Sequence, residues 1–271
     1  MVINEIFYSL QGEGFLAGVP SVFVRLAGCP LRCRWCDTKY AWDETAGQNY
    51  SVEKIVQAVQ QDQSKFIVIT GGEPMINPDL PRLVQELKAS GKHITIETAG
   101  IAFMPNMPCD LMSISPKLSN STPSAEDRSQ KPAPSASSGQ ALSAVEGTEI
   151  RSLAPTSFDP AQDGPVVGAR GTEVKRQKFL RPDITILREL LDNYKYQLKF
   201  VVDSEGDLSE IQETIEEIGN VDSGKVMLMP QAATRDELLA KSPMVAELCK
   251  RTGFAFCHRL QVLLWNNQKA T

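Results

Sequence analysis

The sequence predicts an α/β fold, an open and partial barrel of about six parallel strands, and three observations carry that prediction. Short apolar runs alternate with amphipathic stretches through residues 1–118 and 174–271. One of them, Phe66-Ile67-Val68-Ile69, is continuously apolar, as a strand covered on both faces is. Their number falls short of the eight strands of a complete TIM barrel, so the barrel is TIM-like but not closed.

In chain order, Ser21-Val22-Phe23-Val24-Arg25-Leu26 reads as a strand, and Val52 to Val59 places apolar side chains at helical spacing. Phe66-Ile67-Val68-Ile69 is the next strand, and Pro78 to Ala89 is a helix that Gly91 stops. His93 to Ile96 and Leu111 to Ile114 are further strands. Later come helix Asp183 to Leu191, strand Gln197 to Val202, helix Leu208 to Ile218 and strand Lys225 to Met229. A helix capped at Thr234 reaches Cys249, and Phe254 to Leu264 reads as the last strand.

Between the two flanks, 29 of the 55 residues at 119–173 are Ser, Ala, Pro or Gly, with Phe158 the sole aromatic. Such a stretch buries too little apolar surface to offset its ordering entropy. Only the scattered Leu142, Val145, Ile150 and Leu153 favour a small subdomain. The expectation is one domain, 1–271, interrupted by a disordered surface insertion at 119–173, which a loop with neighbouring ends tolerates.

Of the 271 residues, 42% are apolar and 23% charged, the proportions of an ordinary soluble protein. Lys and Arg number 28 against 33 Asp and Glu, a net charge of −5 that weighs against direct nucleic-acid binding. No run of about 18 apolar residues is present, so no membrane partner is expected. Met1-Val2-Ile3-Asn4-Glu5-Ile6 lacks the basic and apolar regions of a signal peptide, which predicts a cytoplasmic protein. In that setting the six cysteines are better read as thiolate ligands than as disulfides.

Three of those thiols, Cys29, Cys33 and Cys36, stand in C-x3-C-x2-C spacing just beyond a strand, where α/β folds place their chemistry. Soft thiolates select zinc or iron–sulfur clusters. A structural zinc needs a fourth ligand nearby, yet His93, Cys109, Cys249, Cys257 and His258 are distant and unpaired. Three thiolates on a cubane leave one iron open for another ligand. A zinc-binding interaction module is the alternative from another class. Trp35, between the second and third thiols, either shields a cluster or packs the loop.

Four other strand ends point to the same face: Thr70-Gly71-Gly72-Glu73-Pro74, Glu97-Thr98-Ala99-Gly100, Ser115-Pro116-Lys117 and Met229-Pro230-Gln231. Gly71 and Gly72 let backbone approach a ligand closely. Before the first long strand, Gln11 and Glu13 offer an amide and a carboxylate, suited to the donor and acceptor edge of a pterin or guanine. Arg25 either holds a substrate carboxylate bidentately or sits in an ordinary ion pair.

This constellation resembles the radical S-adenosylmethionine (SAM) enzymes, in which the iron without a protein ligand chelates the amino and carboxylate groups of SAM. The resemblance implies a 4Fe–4S cluster on Cys29, Cys33 and Cys36. It implies SAM contacts from Gly72, Glu97, Ser115, Pro116, Lys117, Met229, Pro230 and Gln231. Within the group, residues 1–118 and, more loosely, 174–271 resemble the 7-carboxy-7-deazaguanine synthase family. That likeness implies substrate contacts from Leu10, Gln11, Gly12, Glu13, Arg25 and Thr70, and a magnesium ion at Thr38. Gln261 takes the place of a histidine that many relatives carry. The expected reaction converts 6-carboxy-5,6,7,8-tetrahydropterin to 7-carboxy-7-deazaguanine with loss of ammonia, on the route to queuosine. The expected partners are an electron donor such as flavodoxin or ferredoxin and a second copy of the chain, with Leu263, Leu264 and Trp265 at the dimer contact. The rival within enzymes is an activase that installs a glycyl radical on a partner protein.

Overall fold

Along each central strand the side chains alternate between two chemistries, and that alternation builds both the core and the site. The computed structural model describes residues 1–123, 182–266 and 268. The strands are β1 (Val2–Leu10), β2 (Pro20–Leu26), β3 (Gln48–Asn49), β4 (Phe66–Gly71), β5 (His93–Thr98), β6 (Leu111–Ile114), β7 (Tyr196–Val202), β8 (Val226–Pro230) and β9 (Ala255–Phe256). The helices are α1 (Val52–Gln60), α2 (Leu80–Ala89), α3 (Ile184–Asn193), α4 (Asp207–Ile218), α5 (Arg235–Thr252) and α6 (Leu260–Trp265). All described residues fall in one compact unit.

The strands make one sheet in the order β3-β1-β2-β4-β5-β6-β7-β8-β9. From β2 to β9 every pairing is parallel. The expected six parallel strands are β2 and β4 to β8, and the sheet they form is open. One set of alternate positions faces the helices. Val24 and Leu26, Ile67 and Ile69, Ile94 and Ile96, and Leu198 and Phe200 share a core with Ile55, Leu83, Leu187, Leu190, Ile211 and Val245. Each such side chain contributes about 1.5–3 kcal/mol by leaving water. The other set, including Arg25, Thr70, Glu97, Ser113, Lys199 and Met229, lines a cavity on the opposite face. The register puts Arg25 beside Thr70 and Glu97 beside Ser113.

Three expectations need correction. The last strand is not one: only Ala255–Phe256 pairs with β8, and Leu260–Trp265 is a helix. Gln261, Leu263, Leu264 and Trp265 therefore lie on α6. Secondly, β1 was absent from the predicted strands, yet it pairs antiparallel with β2 over its length and sets Phe7 against Phe23 and Glu5 against Arg25. Thirdly, Ser119–Ser121, expected to belong to the disordered insertion, forms a 3-10 turn. Residues 124–173, with the Leu142, Val145, Ile150 and Leu153 named above, lie outside the described residues.

Candidate active site

The loop after β2 carries the three cysteines and is held from both sides. Gly28 N donates to Ala41 O at 2.9 Å and Cys29 N to Trp42 O at 3.1 Å, closing the loop on itself. The 119–121 turn holds its outer edge. Arg34 N donates to Ser121 O at 3.1 Å, and the Trp35 indole N–H donates to Asn120 O at 3.2 Å. Trp35 also packs on Val201, Met227, Met229 and Cys257, with the Lys117 ammonium 5.6 Å from its ring centre. Packing of the loop is thus what its contacts do.

Cys29, Cys33 and Cys36 all line a cavity of about 280 Å³. Burial pushes all three thiols up: Cys33 to about 11, with Cys29 and Cys36 also raised. Burial is helped at Cys29 by the Glu73 carboxylate and at Cys36 by Asp37, and opposed at Cys33 by Lys117. Alone, these groups keep their protons, and only a strong positive centre makes thiolates of them. Three soft donors on one wall, with oxygen and nitrogen groups opposite, fit an iron–sulfur cluster with one iron open to a small polar ligand.

The glycines of Gly71-Gly72-Glu73-Pro74 serve a closer approach than that of a ligand. A Cβ on Gly72 would lie 2.0 Å from Gly28 O and 2.9 Å from Cys29 Cβ. The amides are used the same way: Gly72 N donates to Leu26 O and Glu73 N to Gly28 O, both at 2.9 Å. The turn after β4 is therefore a brace pressed on the cysteine loop, and Gly72 still borders the cavity. Glu73 points inward. Its carboxylate accepts from Thr98 Oγ1 at 2.6 Å, Ala99 N at 2.7 Å and Met75 N at 3.1 Å, binding the ends of β4 and β5 together.

The opposite wall comes from the β1–β2 loop, the middle of the sheet and the segment before α6. Leu260 N donates to Gly12 O at 2.9 Å, and Gln261 lies so close to Gly12 that a Cβ there would sit 1.9 Å from Gln261 Oε1. Glu13 is the hub. Lys199 Nζ lies 2.9 Å from its Oε2, while Arg259 Nε at 3.3 Å and Gln261 Nε2 at 2.8 Å reach its Oε1. Burial alone would raise the Glu13 carboxyl, but the Lys199 and Arg259 charges outweigh it and hold the group at about 2. Lys199 also sits 3.9 Å from Glu97, which accepts from Gln11 Nε2 at 3.1 Å. Gln261 Oε1 is buried and has no partner among the described residues. Arg25 has its Nε held by Glu5 at 2.6 Å, and its guanidinium lies over Phe7 and Tyr40. That is the ion pair named above as its alternative.

Nearly every candidate residue from the sequence borders this cavity: Leu10, Gln11, Gly12, Glu13, Arg25, the three cysteines, Thr38, Thr70, Gly72, Glu97, Ser115, Lys117, Met229, Gln231 and Gln261. Pro116 and Pro230 do not; both are buried. Lys199, Arg259, Asp37 and the stacked Phe7–Phe23 pair were missed. Lys199 had a signal: it stands between Leu198 and Phe200 in a predicted strand, where a charge needs a partner.

An open parallel α/β sheet with this thiol loop at its C-terminal edge defines a class, the radical SAM proteins. The sequence profile of the Radical SAM superfamily matches residues 24–125. A 7-carboxy-7-deazaguanine synthase of Halobacterium salinarum is 38% identical over 99% of this chain and 92% of its own length. One of Rhodopirellula baltica is 33% identical over 100% of this chain and 89% of its own. The crystal structure of QueE from Escherichia coli shares the fold, with a TM-score of 0.61 at 23% identity over 94% of this chain and 92% of that one. The chain belongs to the 7-carboxy-7-deazaguanine synthase family.

Proposed function

We infer that this protein is a radical SAM lyase that converts 6-carboxy-5,6,7,8-tetrahydropterin to 7-carboxy-7-deazaguanine and ammonia. The observation that carries this reading is one cavity with three thiols on one wall and the Gln11–Glu13–Gln261 array on the other, in a chain 38% identical to a named synthase along nearly its whole length. When bound, a 4Fe–4S cluster with SAM supplies a 5′-deoxyadenosyl radical, able to take the hydrogen at C6 of the pterin. The rest falls to the chain's own residues. Cys29, Cys33 and Cys36 hold the cluster. Gly72, Glu97, Ser115, Lys117, Met229 and Gln231 line the SAM side, with Pro116 and Pro230 shaping it from below. Lys117 Nζ, 2.9 Å from Ser115 Oγ, offers its charge to the carboxylate of methionine.

On the substrate side Leu10, Gln11, Gly12, Arg25 and Thr70 border the pterin, and Gln261 Oε1 is an open acceptor for one of its N–H groups. Glu13, with its oxygens committed to Lys199, Arg259 and Gln261, fixes that wall more than it reads the ligand. Thr38 offers one hard oxygen to a magnesium ion, which would fill its other positions with substrate and water. We place the protein in the cytoplasm, as a homodimer reduced by flavodoxin or ferredoxin. Six free cysteines support a reducing compartment, and Leu264, 47% exposed on α6, supports the dimer contact. No helix among the described residues is long and apolar enough to cross a membrane.

The test is an anaerobic assay with the pterin, SAM, magnesium and a reductant. Mass analysis is expected to find a product lighter than the pterin by one ammonia, and deuterium at C6 is expected to appear in 5′-deoxyadenosine or SAM. SAM cleavage without either result would overturn the reading in favour of an activase.

A further inference from the structure

Arg259 joins three segments that border the site. It is 8% exposed and stands just before α6. Its Nε lies 3.3 Å from Glu13 Oε1 in the β1–β2 loop, its Nη2 is 2.5 Å from Asp37 Oδ2, and its Nη1 donates to Ala232 O after β8. Asp37 sits between Cys36, the third thiol, and Thr38. We propose that Arg259 is a positioning residue that locks the pterin-facing loop to the cysteine loop through Glu13 and Asp37, setting the substrate's place relative to the cluster. The inference rests on the function proposed above.

The chemistry asks for arginine. A guanidinium is a flat fork of five donors, able to serve two carboxylates and a carbonyl in different directions at once. An ammonium on the same stem is a point charge and satisfies one or two of them. Lys199 cannot stand in: its ammonium is committed to Glu13 and Glu97 on the far side of the hub. Gln261 follows two residues later, so a shift of Arg259 also carries the unpaired Gln261 Oε1 with it.

Arg259→Met strips the charge from two carboxylates and risks the fold, so the decisive variant is Arg259→Lys. Iron content, absorbance of the reconstituted cluster and the Kd for SAM are expected to match wild type within twofold, and the melting temperature to within about two degrees. The Kd and KM for the pterin are expected to rise about tenfold, the effect of one charge-assisted hydrogen bond, with kcat changed less. SAM consumed per product formed is expected to rise as well, because a loosely placed substrate misses the radical. Asp37→Asn is expected to give a similar pterin defect, and the double variant little beyond either single one. An unchanged pterin Kd in Arg259→Lys overturns the proposal, as do pterin and SAM affinities that fall together with melting temperature. Independent, multiplying effects of Arg259→Lys and Asp37→Asn would remove the link through Asp37. If wild type itself neither binds nor turns over the pterin, the proposed function fails instead.

Discussion

At Gly72 a single methyl group decides whether the thiols stay in place. The space a Cβ would need is filled by the Gly28 carbonyl and Cys29 Cβ, so Gly72→Ala must push the cysteine loop away from β4. Overpacking of this kind typically costs about 1–3 kcal/mol, here directed at the first cluster thiol. The variant is expected to keep its secondary structure and lose most of its iron; full iron loading would show that the brace does not place Cys29. Glu13 gives a second prediction, in pH. Its carboxyl ordinarily titrates at 4.5 and is held at about 2 in the fold. The depressed value means that its stabilising contribution is complete above about 4.5 and disappears as pH falls from there to about 2. Glu13→Gln is expected to flatten the stability curve across that window, measured by denaturant melts, and an unchanged slope would count against the assignment. The site's donors were legible because thiols at fixed spacing and glycine beside strand ends are written locally. Arg259 was not, and Lys199 showed only as a charge inside a strand, since the partners of both are carboxylates more than 180 residues away in sequence.

Elements were legible where periodicity and a cap agreed. Thr234 was read as the start of a helix, and α5 begins there with a full capping box: Thr234 Oγ1 accepts from Glu237 N, and Glu237 Oε2 accepts from Ala233 N at 2.7 Å and Thr234 N at 3.3 Å. Phe254 to Leu264 reads as a strand in sequence but holds a helix because it is a short apolar run, which periodicity alone cannot divide between the two. Contacts from elsewhere decide it. Arg235 Nε donates to Leu263 O at 2.6 Å and Nη2 to Leu264 O at 2.8 Å, satisfying carbonyls that would otherwise end α6 unpaired. β1 escaped notice for the converse reason. Asn4 and Glu5 break its apolar pattern, and Glu5 is explained by Arg25 across the pair and by the Tyr40 hydroxyl, both distant in sequence. Because Arg235 is the first residue of α5, its cap and α6 are mechanically joined. Thr234→Ala is expected to cost about 1 kcal/mol of stability. It should also speed amide hydrogen exchange in α6 along with the first turn of α5. Faster exchange in α5 alone would mean that the two helices do not share their ends.

Over the whole molecule, β6 and β7 pair side by side, Met112 beside Tyr196, although a long stretch of chain separates them in sequence. The sheet is continuous at that point through the strands themselves, which makes the intervening Ser/Ala/Pro/Gly-rich residues dispensable if the protein is the expected single domain. Loop entropy then predicts the sign of a deletion. Removing 124–173 cuts the connection between β6 and α3 from roughly seventy to roughly twenty residues, and the closure term falls by about 1 kcal/mol. For a protein of this size that raises the melting temperature by a few degrees. Cluster content and turnover are expected to stay at wild-type levels. A deletion of 119–173 should behave differently, because it takes the turn that holds the cysteine loop. Asn120 O would no longer receive the Trp35 indole, Ser121 O would lose Arg34 N, and the contact of Ser119 with Glu210 would go. Iron per chain after anaerobic reconstitution separates the two. Retention in the shorter deletion and loss in the longer one place the working boundary of the domain at residue 123, whereas loss in both would make the low-complexity stretch part of the active fold.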